Sequence, residues 1–171
     1  MLSSVVVPTA HRRLLRDLLI LALTLALWML ETRGVFIGPA ATVLAILTGL
    51  MTGVVGFLFH EWGHALGAKL SGGTIYYTDR LSNPFLFFFD TVKSTRQQFL
   101  AMSYGGYLAT AIAVIVALAC MPWDRLAGQI GLAIAALSLV VTVLAEVPST
   151  VRVARGGPMP SGYVYRSGTD G

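Results

Sequence analysis

Charge is what this sequence has least of. Only 12% of its 171 residues are Asp, Glu, Lys or Arg, 56% are hydrophobic, and the mean hydropathy is +0.75. Soluble domains carry about 25% charged residues. An ordinary soluble domain is therefore excluded, and an integral membrane protein of one compact domain is expected. Cysteine is nearly absent: Cys120 stands alone, which excludes an internal disulfide and leaves it as a small residue near the end of an apolar run. No basic run interleaved with aromatics exists, so a nucleic-acid partner is not expected. Histidine is also scarce, limited to His11, His60 and His64.

What is present is a series of long apolar segments. The first runs from about Leu14 to Leu30, with Arg16 and Asp17 at its edge. The second is uncharged from Gly34 to His60 and continues as a helix toward Lys69; the third runs from Gln97 to Trp123, and the fourth from Leu126 to Ala145. The last three each meet the ~20-residue length of a spanning helix, and the first spans if its two charges sit at the interface. The first segment ends in Trp28-Met29-Leu30-Glu31-Thr32-Arg33, without a small-x-small cleavage site, so it is read as a retained anchor and not a signal peptide. The fold expected is an all-α polytopic membrane protein of about four transmembrane helices. With the N-terminus in the cytoplasm, only Arg33 and Arg125 fall in outside loops; every other lysine and arginine falls inside. That bias predicts cytoplasmic termini and fits a prokaryotic plasma (inner) membrane.

Between the second and third helices lies an aromatic loop, Ser71 to Thr95, containing Thr74-Ile75-Tyr76-Tyr77-Thr78 and Phe85-Leu86-Phe87-Phe88-Phe89. Gly72-Gly73 ends the second helix, and Thr95 with Gln98 caps the third. The loop is expected to form an interfacial hairpin or re-entrant piece, either a plain anchor or an edge able to hold an extended substrate strand. Small residues recur in the second helix (Gly49, Gly53, Gly56, Gly63, Gly67) and in the third (Gly105, Gly106, Ala109, Ala113), predicting close packing between the two. From residue 148 to 171 proline and glycine predict an irregular cytoplasmic tail.

The chemistry lies in His60-Glu61-Trp62-Gly63-His64, at the cytoplasmic end of the second helix. Residues four apart share a helix face, so His60 and His64 can bind one metal ion, and Glu61 can act as general base on a metal-activated water. Ionisable groups at membrane depth mark function. A catalytic zinc takes three protein ligands. His11 precedes the first helix, and Glu31 and Asp124 fall on the opposite side. Glu146 ends the fourth helix on the same side as the motif, before Val147-Pro148-Ser149; proline deprives the carbonyl of residue 144 of its helical donor and opens the backbone there. Glu146 is the expected third ligand. Asp90 in the aromatic loop is the alternative, and a role for Glu146 in holding a histidine N–H is also open.

The stretch from His60 to Gly73 resembles the motif helix of the site-2 protease family of intramembrane zinc metalloproteases, and Gly105-Gly106-Tyr107-Leu108-Ala109 resembles that family's later small-residue helix. The similarity covers about residues 50–150. The family's third ligand is usually an Asp in an Asp-Gly pair. Here the only such pair is Asp170-Gly171 in the tail, and Glu146-Val147-Pro148-Ser149 resembles the acidic-hydrophobic-Pro-Ser sequence of smaller relatives. The resemblance implies a transmembrane metalloprotease domain over residues 1–147. It would use Zn²⁺ held by His60, His64 and Glu146, with Glu61 catalytic, to hydrolyse peptide bonds of a transmembrane protein substrate. The rival expectations are an inactive protease-like scaffold or chaperone and, further off, a metal transporter. Oligomeric state is left open.

Overall fold

The computed structural model describes residues 9–78 and 80–160. Asp79, Arg166, Asp170 and Gly171 lie outside them. Among the described residues the regular structure is all helical apart from one pair of short strands. Its elements are α1 (Thr9–Thr32), α2 (Gly38–Leu70), β1 (Ile75–Tyr77), β2 (Phe87–Phe89), α3 (Arg96–Cys120), α4 (Leu126–Val141) and α5 (Val147–Ala154). A π-helical turn, Thr142–Glu146, joins α4 to α5.

Among the described residues three helical stretches are long and apolar enough to cross a membrane: Gly38–Leu70, Arg96–Cys120 and Leu126–Ala154. α1 is not among them, because Arg16, Asp17 and Glu31 interrupt its apolar sequence. Its packing explains this composition. Arg13, Asp17 and Thr24 are buried against the protein, while Leu15, Leu19 and Leu23 point outward. The helix turns its polar stripe inward, the reverse of a soluble amphipathic helix.

α2 is the central element, packed most extensively on α3 and next on α4 and α1. At the α2–α3 crossing a Cβ on Gly63 would lie 2.5 Å from the Gly105 carbonyl oxygen, and one on Gly105 would lie 2.3 Å from that of Gly63. Only glycine allows backbones this close. The glycine stripe of α2 does not serve one partner, however. Gly49 and Gly53 face Ile130 and Ile134 of α4, and Gly56 faces open space. The helix turns its small face from one neighbour to the other along its length.

α2 ends where Gly72 takes φ +75° and the Gly73 N–H returns to the Ala68 carbonyl at 2.8 Å. β1 and β2 pair antiparallel, with Ile75 opposite Phe89 and Tyr77 opposite Phe87. The capping box of α3 is complete: Thr95 Oγ1 accepts from the Gln98 N–H and Gln98 Oε1 from the Thr95 N–H. Phe89 is not a surface anchor; it is buried in a cluster with Ala68, Phe99 and Val153. Val153 belongs to α5, so the expectation of an irregular segment from residue 148 is corrected for residues 148–154, which are helical. A proline in the first turn of a helix needs no N–H, so Pro148 starts α5 instead of breaking the chain. At the opposite end of the bundle Arg125 pairs with Glu31 at 3.0 Å and joins the start of α4 to the end of α1.

Candidate metal centre

His60 and His64 lie one turn apart on α2, their rings edge-to-face with centroids 4.4 Å apart. α3 holds both from behind. The His60 Nδ1 lies 3.2 Å from the Gly106 carbonyl and 2.7 Å from Thr110 Oγ1; the His64 Nδ1 lies 2.9 Å from the Met102 carbonyl. A carbonyl only accepts, so each Nδ1 carries a proton, and in the neutral imidazole this leaves Nε2 as the atom that can bind a metal ion. Gly106 makes room for this, because a Cβ there would come within 2.2 Å of His64 Cε1.

The π turn brings Glu146 to the same point. The Val147 N–H reaches back to the Thr142 carbonyl, five residues earlier, and widens the helix one residue before Pro148. The Glu146 carbonyl also accepts from Ser149 Oγ at 2.8 Å and Thr150 Oγ1 at 3.3 Å. Glu146 Oε1 lies 3.2 Å from His60 Nε2, Oε2 lies 3.3 Å from His64 Nε2, and the two Nε2 atoms are 2.9 Å apart. The donor atoms of the three residues all lie within 4.8 Å of one another and could hold a metal ion.

The donor set fits a small divalent cation. Ligands about 2.0–2.1 Å from a tetrahedral ion stand about 3.3 Å from each other. Two imidazole lone pairs and a carboxylate converging on one point repel unless a positive charge lies between them. The carbonyl partners on both Nδ1 atoms are the second-layer contacts that fix the metal-binding tautomer.

Glu61 is buried beside His60, and its Oε2 accepts from the backbone N–H of Leu86 at 2.9 Å. The next residue, Trp62, donates its indole N–H to Asp17 of α1 at 2.8 Å. Asp90 is not in the group. Its Oδ1 accepts from the N–H groups of Val92 and Lys93, both at 3.0 Å, and closes the turn before α3. Lys93 in turn donates to the Tyr76 hydroxyl at 2.7 Å, which raises its pKa.

The residues that hold the histidines were not singled out by the motif. Thr110 is a hydroxyl in an apolar run, one turn after Gly106, a signal the sequence does contain. Tyr107 donates to or accepts from Thr150 Oγ1 at 2.6 Å and ties α3 to α5 just past the π turn. Arg13, fully buried, and the Leu86 N–H left no local mark at all.

Fold and site together define a helical protein with membrane-length helices and a His-His-Glu group able to hold a metal ion. No protein-family model, curated protein or solved structure matches the chain.

Proposed function

We propose that the chain is an intramembrane zinc endopeptidase of the site-2 protease type, hydrolysing peptide bonds of membrane-embedded protein substrates. The observation that carries this reading is the convergence of His60 Nε2, His64 Nε2 and the Glu146 carboxylate, with Glu61 the next residue on the same helix. Nitrogen and carboxylate donors in a set of three are those of catalytic zinc sites, which keep a fourth position open. Bound zinc lowers the pKa of water and polarises a carbonyl oxygen. Glu61 accepts the proton released by the attacking water and passes it to the departing amine. His60 and His64 hold their orientation through α3, and Glu146 closes the site from the π turn.

In this reading α1 is a fourth span whose polar stripe faces the bundle, both termini are cytoplasmic, and the site lies toward the cytoplasmic side of a prokaryotic plasma membrane. The positive-inside pattern supports this orientation. The strand pair lies at that interface. A substrate helix must unwind locally before cleavage, because helical carbonyls are engaged in hydrogen bonds.

The test is zinc per chain in purified protein in mild detergent, together with cleavage of a quenched fluorescent peptide carrying an apolar twenty-residue segment. Stoichiometric zinc, cleavage by wild type and none by Glu61→Gln support the reading. Zinc binding without cleavage of any membrane-embedded segment favours the scaffold alternative, and absence of zinc after reconstitution sinks the metalloenzyme.

A further inference from the structure

Resting on the peptidase reading, we propose that Arg13 is a positioning residue for Glu61, acting through Thr78 and the turn that leads to Leu86. Arg13 is on α1, a helix that contributes no residue to the His60-His64-Glu146 group, and its side chain is completely buried. The guanidinium is spread over the turn: Nε donates to the Thr78 carbonyl at 3.0 Å, Nη1 to the Asn83 carbonyl at 2.8 Å, and Nη2 to Thr78 Oγ1 and the Arg80 carbonyl. Thr78 passes the constraint on. Its Oγ1 donates to the Phe85 carbonyl at 2.9 Å and its N–H to the Leu86 carbonyl at 3.2 Å. The Leu86 N–H then holds Glu61 Oε2 at 2.9 Å.

The path is continuous and each link is directional. A charged group this deeply buried is costly unless its donors are satisfied. The planar fork of arginine can meet four acceptors on one turn, where the single ammonium of lysine cannot. α1 also ties to α2 at the residue after Glu61, since Asp17 accepts from the indole N–H of Trp62 at 2.8 Å. Glu61 is thus fixed between a turn and a helix that α1 anchors together. Arg13, which in sequence stands just before the first apolar segment, orients the general base through this turn.

The experiment uses full-length protein in mild detergent and three variants, Arg13→Ala, Arg13→Lys and Thr78→Val. It reads amide hydrogen exchange at Leu86 by NMR, zinc per chain, and kcat and KM on the quenched apolar peptide. In Arg13→Ala and Arg13→Lys the Leu86 amide is expected to exchange at least about tenfold faster, with zinc per chain unchanged, KM unchanged and kcat lower by about 10–100-fold, the scale of an approximately 1 Å misplacement. Failure of lysine to rescue separates geometry from mere charge. If Arg13→Ala does not fold, the near-isosteric Thr78→Val breaks the same path and is read in the same way. Undiminished protection at Leu86, or lost protection with full kcat, overturns the proposal. Absence of zinc from wild type sinks the peptidase reading separately, and exchange at Leu86 still decides whether Arg13 fixes Glu61.

Discussion

The backbone N–H of Leu86 donates to Glu61 Oε2 at 2.9 Å across 25 residues of sequence. A carboxylate beside the histidine pair that could hold a metal ion is therefore held by the turn before β2 and not by its own helix. Glutamine at position 61 keeps an oxygen to accept that N–H but cannot take up a proton at neutral pH. Glu61→Gln is expected to retain zinc and the fold while turnover drops by about 10²–10⁴-fold, the usual contribution of general acid–base catalysis. Metal analysis and single-turnover cleavage of the same preparation check it.

Removing the carboxylate of Glu146 leaves two imidazole lone pairs facing each other at 2.9 Å with no anionic ligand. Glu146→Ala is expected to retain only a small fraction of wild-type zinc after dialysis and to lose more than about 10²-fold in activity, a larger effect than that of second-layer residues. Zinc retained in full by this variant would remove Glu146 from the ligand set.

Thr110 Oγ1 stands 2.7 Å from His60 Nδ1. Thr110→Val keeps the shape and deletes this contact. Zinc affinity is expected to fall by about 10–100-fold, as for other second-layer partners of metal-bound histidine. Competition with a chelator of known affinity measures the shift.

Two glycines with different surroundings, Gly106 on α3 and Gly56 on α2, make an internal control. Gly106→Ala would push its Cβ to 2.2 Å from His64 Cε1, so the imidazole must move and zinc is expected to be lost while helical circular dichroism stays unchanged. Gly56→Ala meets nothing within 4 Å and should keep zinc and gain up to about 1 kcal/mol through reduced backbone freedom of the unfolded chain.

Gly63 has no such freedom. Its Cβ would meet the Gly105 carbonyl and the Ala109 methyl, both at 2.5 Å, and neither is the end of a flexible side chain. Gly63→Ala is expected to force α2 and α3 apart and lower stability by about 1–3 kcal/mol, the range for overpacked cores. A lower midpoint in denaturing detergent is the readout, and an unchanged midpoint would contradict the close crossing.

Much of the helix pattern was legible because its signals are local. Apolar length marks α2, α3 and α4, Thr95 and Gln98 mark the start of α3, and Gly72 marks the end of α2. The pairing of His60 with His64 is also local, since a helix brings every fourth residue to one face. Glu146 could be selected because the orientation expected from the charges puts it at the depth of the motif and Pro148 follows two residues later. Residues 148–154 differ from expectation for a related reason: Pro148 signals a break inside a helix but is compatible with a helix's first turn, and the composition around it does not distinguish the two.

The sequence by itself determined an apolar helical chain, the imidazole pair with its neighbouring carboxylate, and a carboxylate at the end of the last long helix, because each of these follows from periodicity, length and residue chemistry along a short stretch. Tertiary structure alone decided that Glu146 and not Asp90 faces the histidines, that the Gly106 and Met102 carbonyls fix both tautomers, and that α1 reaches Glu61 through Arg13, Thr78 and Leu86. Those relations depend on backbone carbonyls and N–H groups, which every residue carries alike and which only the packing of distant segments brings together.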